Sequence, residues 1–149
     1  LTINEKYGSP SCYYRVDQYW LSKQGTPFQG VSFSSIKFAD IDGDTDLDVL
    51  ISGNSSSSWP SQNITKLYTN DGNGNYSEVT STPFQGVSYS SIAFADIDGD
   101  KDLDFILTGS DSTKAYISTL YINNGAGTFT EKQGTPFEGV YRGSVAFAD

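Results

Sequence analysis

Apolar and polar residues alternate with a period of two from Ser34 to Asp40, where Ile36 and Phe38 are separated by Lys37 and followed by Ala39. Such alternation predicts a strand with two unlike faces. Nine residues later the pattern changes to a continuous apolar run, Val49-Leu50-Ile51, which ends at Gly53; the same run recurs as Phe105-Ile106-Leu107 before Gly109. A short run without alternation suits a strand buried on both faces. A third strand is predicted over Lys66–Thr69 and again over Thr119–Ile122. Each is followed by a turn-forming cluster, Asn70-Asp71-Gly72-Asn73-Gly74 or Asn123-Asn124-Gly125-Ala126-Gly127, and then by a short strand, Tyr76–Val79 or Phe129–Lys132. Strands on either side of such a turn read as a hairpin.

The four-strand pattern belongs to an internal repeat. Pro27-Phe28-Gln29-Gly30-Val31 returns as Pro83-Phe84-Gln85-Gly86-Val87 and as Pro136-Phe137-Glu138-Gly139-Val140, at spacings of 56 and 53 residues. Ser35-Ile36-Lys37-Phe38-Ala39-Asp40 returns as Ser91–Asp96 and as Ser144–Asp149. Four antiparallel strands in about 50 residues make one propeller blade. The expected fold is therefore all-β, with two whole blades and two partial ones. The expected divisions are an extension or linker over 1–12, a partial blade of outer strands over 13–32, blades over 33–88 and 89–141, and the start of a further blade over 142–149. Within Tyr13–Lys23, Trp20 takes the place of Tyr76 and Phe129. Ile36, Phe38, Val49, Ile51, Ile92, Phe94, Phe105 and Leu107 are expected to be buried between blades. A closed propeller uses about 4–8 blades, so the incomplete ends are expected to be completed by a longer chain or by other subunits. Leu1–Pro10 fits no repeat and is a candidate segment for reaching into a neighbour.

Charge changes the picture at two places. The chain has 149 residues and a net charge of −9, but Asp40, Asp42, Asp44, Asp46 and Asp48 occupy alternate positions of one loop, and Asp96, Asp98, Asp100, Asp102 and Asp104 those of another. Without these ten carboxylates the remainder is near neutral, so the acidity is local. Carboxylates this close repel one another unless a cation lies among them. Hard oxygens at positions 1, 3, 5 and 9, with a backbone carbonyl at 7, are what Ca²⁺ takes. An EF-hand would need Gly at position 6 and Glu at 12; Thr45 or Lys101 and Ile51 or Leu107 stand there instead.

Phe-Ala-Asp-Ile-Asp-Gly-Asp-x-Asp-Leu-Asp followed by an apolar strand resembles the FG-GAP/VCBS repeat, which is similar to the calcium-bearing blades of integrin α-chain propellers. The likeness covers roughly residues 13–149. It implies two structural Ca²⁺ sites between the first and second strands of each blade. By position, the side-chain ligands would be Asp40, Asp42, Asp44 and Asp48, and Asp96, Asp98, Asp100 and Asp104. The backbone carbonyls of Asp46 and Asp102 would complete the sets. The family often carries Gly where this chain has Thr45 and Lys101, a departure expected to strain the loop.

The remaining features narrow the function. There is no His, and no Ser or Cys nucleophile has a visible partner, so no catalytic constellation is expected. The nine Lys and Arg form no patch for nucleic acid, and no apolar run is long enough to span a membrane. No signal peptide is visible. Sequons occur at Asn54, Asn63 and Asn75, giving three candidate glycosylation sites. The Ser55–Pro60 insertion carrying Trp59 reads as an exposed loop, and Cys12 has no partner within the chain. These readings point to an extracellular or cell-surface calcium-binding module, a glycoprotein with a structural or adhesive role. Its partners are expected to be other subunits or copies of itself joined through open blade edges. Alternatives are the subunit of an extracellular filament or fibre, and a lectin-like propeller with glycans as partners.

Overall fold

The computed structural model describes residues 14–16, 19–21, 25–55 and 62–148. Leu1–Pro10, Cys12, Trp59 and Asp149 lie outside the described residues, as does the side chain of Trp20. Among those described there are ten strands and no helix. β1 (Tyr14–Val16) and β2 (Tyr19–Leu21) form an antiparallel pair. The first four-stranded sheet contains β3 (Ser32–Ala39), β4 (Asp48–Ser55), β5 (Gln62–Asn70) and β6 (Tyr76–Val79), in that order. The second repeats it with β7 (Ser88–Ala95), β8 (Asp104–Ser110), β9 (Tyr116–Asn123) and β10 (Phe129–Glu131). All pairings are antiparallel. These are two sheets of propeller-blade type, stacked and not closed into a ring.

The second strand of each sheet dictates the stacking. Alternate residues of a strand point to opposite faces, and β4 and β8 are apolar on both. Leu50 and Leu67, with Ala39 and Ile41, therefore face the second sheet. There they meet Ile92, Phe105, Leu107, Tyr121 and Phe129 in one buried cluster. The opposite face of the first sheet holds Val49, Ile51 and Tyr68, backed by Phe28 and Val31. The far face of the second sheet holds Ala93, Ile106 and Leu120, with Val145 against them.

The linking segments explain the Pro-Phe-Gln/Glu-Gly-Val repeat. Phe84 enters an aromatic cage, with ring centroids 5.1 Å from Phe105, 5.1 Å from Tyr121 and 5.3 Å from Phe129. Phe28 does the same 5.1 Å from Tyr68 and 4.9 Å from Tyr76. The linker then lies on the third strand of the preceding blade: Thr65 Oγ1 donates to Gln85 O (2.8 Å), and Ser118 Oγ to Glu138 O (2.8 Å). A Cβ at Gly86 would fall 2.1 Å from Asn63 O, and one at Gly139 would be 1.8 Å from Tyr116 O. Only glycine permits this approach.

Two expectations are corrected. Ile36 and Phe38 are 50% and 59% exposed, whereas Val49, Ile51, Ile92, Phe105 and Leu107 are buried and Phe94 is half-buried. Ile36 and Phe38 point from the face that no described blade covers; their counterparts Ile92 and Phe94 point toward one that is covered. Ser144–Asp149 was expected to form a first strand, but residues 144–148 form no strand. The Val145 N–H donates instead to Ser91 Oγ (3.1 Å).

Urea unfolding should rank three truncations by this packing. Phe105→Ala should cost about 3–5 kcal/mol, Phe94→Ala less, and Phe38→Ala least. An equal loss at Phe38 and Phe105 would contradict the face assignment.

Candidate metal centres

Each acidic loop joins the first strand of a blade to the second, β3 to β4 and β7 to β8. Short polar side chains shape it by accepting local backbone N–H groups. Asp40 Oδ1 accepts from Gly43 N–H (2.9 Å) and its Oδ2 from Thr45 N–H (3.0 Å). Asp96 repeats this with Gly99 (2.8 Å) and Lys101 (3.0 Å). Thr45 and Lys101 are driven to φ of +76° and +79°, in the left-handed region that costs an L-residue about 1–2 kcal/mol. The strain expected from the absence of glycine here is present in both loops.

Asp48 and Asp104 lock each loop to its blade. Both are fully buried. Asp48 Oδ2 accepts from Ile41 N–H (2.9 Å) and Oδ1 from Asn70 N–H (2.9 Å). Asp104 does the same with Ile97 (2.9 Å) and Asn123 (2.8 Å). One carboxylate thus ties the start of the loop to the end of the third strand.

The loop bends Asp40, Asp42 and Asp48 together, and Asp96, Asp98 and Asp104 together, with one carboxylate oxygen from each member of a set within 4.8 Å of the others. Carboxylate oxygens this close are able to hold a metal ion between them. Asp42 Oδ1 is buried without a hydrogen-bond partner, as an atom awaiting a cation would be. Asp44 and Asp100 do not join these sets. Their Oδ1 atoms accept from Asp46 N–H (2.9 Å) and Asp102 N–H (3.0 Å). The carboxylates of Asp46 and Asp102 lean on Gly72 and Gly125 of the neighbouring hairpins, where a Cβ would come within 2.5 Å and 2.4 Å of them. Of the sequons, Asn54 Nδ2 donates to Asn63 Oδ1 (2.9 Å), Asn63 Nδ2 to Ser110 O (3.0 Å) and Asn75 Nδ2 to Asp71 Oδ2 (2.8 Å).

The two loops differ in cover. Asn123 Nδ2 from the second blade donates to Ile41 O (2.8 Å), and Ile41 is 2% exposed against 39% for Ile97. The next blade caps the first loop; no described blade caps the second. Burial, followed by repulsion from Asp44, raises the Asp42 carboxyl above its ordinary value. Burial also raises Asp48, against the pull of its two N–H donors. Desolvation and the neighbouring aspartates raise Asp98 and Asp102 in the same direction. Asp71 is lowered to about 2 by hydrogen bonds led by that from the Asn75 side chain.

The architecture and the loops define an all-β, blade-type repeat module with clustered carboxylates able to hold a metal ion. Residues 40–107, from the first loop to β8, match the FG-GAP-like repeat family. No curated protein and no solved structure gives a significant match. One cluster escaped the sequence reading: Tyr89, Tyr116, Tyr141 and Arg142 gather at the end of the blades opposite the loops. Phe33, Tyr89 and Arg142 stand at one repeat position, and all three have positive φ, +50°, +51° and +55°.

Three outcomes follow for the metal-free chain. Asp48→Ala strands two backbone N–H groups and should cost about 2–4 kcal/mol in urea unfolding, whereas Asp44→Ala should cost well under about 1 kcal/mol. Thr45→Gly should raise stability by about 0.5–1 kcal/mol, strain relief exceeding the entropy cost of glycine. A group with a raised folded pKa destabilises the fold when ionised. Stability should therefore rise as pH falls from neutral through the folded values of Asp42 and Asp48. The contribution from Asp71 has the opposite sign: it is present above the unfolded value and is lost as pH falls toward about 2. A melting temperature that falls monotonically from pH 7 would contradict this.

Proposed function

We propose that this chain is an extracellular calcium-binding repeat module, with the ions acting structurally and its blades serving adhesion or assembly. The observation that carries the reading is the convergence of Asp40, Asp42 and Asp48 around the unpartnered Asp42 Oδ1. All the donors are hard oxygens, the chemistry of Ca²⁺ and not of soft or nitrogen-seeking metals. The same trio recurs in the second blade. A bound Ca²⁺ would cancel the repulsion within the loop; the loop's N–H bonds to Asp40 and Asp48 hold the carboxylates in place for it. Extracellular modules bind Ca²⁺ at roughly 10⁻⁴–10⁻³ M, which suits an extracellular or surface setting and a non-catalytic role.

The uncovered apolar face at Ile36 and Phe38 supports assembly. Its counterpart in the second blade is covered by a sheet with the character of Leu50 and Leu67. A further blade would cover it equally well, whether supplied by the same polypeptide or by another copy. Such a contact would build either a larger propeller or a filament.

Calcium should raise the melting temperature, adding about 2.7 kcal/mol per site at a hundredfold excess over Kd. Asp42→Ala should empty the first loop alone and Asp98→Ala the second alone. The capped first loop should fill at lower calcium than the second. Isothermal titration showing no binding up to about 10 mM, well above that affinity range, would end the metal reading. Light scattering of the chain in calcium, with and without residues 1–10, tests assembly; a monodisperse monomer in both cases would end that part.

A further inference from the structure

We propose that the cleft between the two blades, at the end opposite the acidic loops, binds a neutral saccharide of one or two rings. β4 and β8 run away from the loops, so Asn54 and Ser110 lie at their far ends. The cleft there has a volume of about 430 Å³, within the range of small-molecule sites.

One wall is aromatic. Tyr116 and Tyr141 stack at 4.2 Å with their planes 13° apart, and Tyr116 remains 52% exposed. Tyr89 stacks on Phe33 at 4.3 Å and carries the Arg142 guanidinium 4.6 Å above its ring. The positive φ at Tyr89 and Arg142 places both side chains at this edge, a strained conformation of the kind that collects at ligand sites. An aromatic face is electron-rich and receives the C–H face of a sugar ring, and a tyrosine hydroxyl adds a polar tip.

The facing wall is polar and fixed in orientation. Asn54 Nδ2 donates to Asn63 Oδ1, and Asn63 Nδ2 to Ser110 O. This relay sets the direction of both amides and leaves Asn54 Oδ1 without a donor among the described residues, an acceptor already oriented for a hydroxyl.

The charges present select against other ligands. Asp111 and Lys114 both line the cleft. Asp111 is held by Thr113 N–H (2.8 Å), Ala115 N–H (2.9 Å) and Gln85 Nε2 (3.0 Å). An anion would meet this ionised carboxylate, and a cation would meet Lys114. No Val, Leu or Ile lines the cleft, so an acyl chain would find no aliphatic wall. A neutral ring rich in hydroxyls satisfies each of these surfaces.

The test is titration of the full chain, in calcium, by saturation-transfer NMR and calorimetry. The neutral probes are the methyl glycosides of glucose, galactose, mannose and N-acetylglucosamine, together with lactose and chitobiose. Glucuronic acid and adenosine monophosphate serve as anionic comparisons. Saturable binding of at least one neutral sugar is expected. Tyr116→Ala should weaken it by about tenfold or more, while Tyr116→Phe should retain most of it. Tyr116 is exposed, so an unchanged melting temperature should accompany the loss. Asp42→Ala should leave sugar binding intact, which separates this site from the metal reading. Absence of saturable binding by all six neutral probes would overturn the proposal. So would binding insensitive to Tyr116→Ala, or tighter binding of the anions.

Discussion

A strand that is apolar on both faces needs cover on either side of it, and this chain has two such strands, β4 and β8. The first blade buries Val49 beneath its own linker residues Phe28 and Val31, and Leu50 beneath the second blade. The second supplies one neighbour, and Ile92, Phe105 and Tyr121 close over Leu50 and Leu67. The rest of the fold serves that stacking. Phe84 fills the gap between the linker and the second blade, Gly86 lets the linker lie on β5, and Ser52 Oγ donates across the blades to Ser90 Oγ (2.7 Å). Even the strained bulge residues stack from one repeat to the next, Phe33 on Tyr89 and Tyr89 beneath Arg142.

Stacking also reaches the acidic loops. The loop geometry is set within its own blade: Asp40 and Asp44 accept N–H groups of the loop, and Asp48 ties Ile41 to Asn70 of the third strand. Its burial is not local. Asn123 of the second blade covers Ile41 of the first loop, and the desolvation that raises Asp42 accompanies that cover. The proposed calcium affinity and the proposed assembly are therefore coupled. An added blade that buried Leu120 and Ile106 further would also cap Ile97, bringing the second loop to the condition of the first.

The two ends of the blades offer different chemistry. One gathers carboxylates on alternate positions, suited to a hard cation. The other gathers tyrosines, amides and one charge of each sign, suited to a neutral polar ligand. The strands between them are apolar and rigid, so either end can vary its side chains without disturbing the core.

The sequence by itself determined the four-strand pattern of each blade, the repeat and the loop chemistry. Each of these follows from short-range rules: alternation at Ile36–Ala39, the run at Val49–Ile51, Gly and Asn at the hairpins, and Asp at every second position. Tertiary structure alone decided which of two identical patterns is buried. Ile36 and Ile92 read alike in sequence, yet one faces open space and the other a neighbouring sheet, because burial depends on what lies across the face. It likewise decided that Asp48 joins Asp40 and Asp42, since its carboxylate is held by the Asn70 N–H of the third strand. The tyrosine cluster was legible only in three dimensions: Tyr89 on β7, Tyr116 on β9 and Tyr141 after β10 come from separate segments, and the pairing within the second blade and its following linker brings them together.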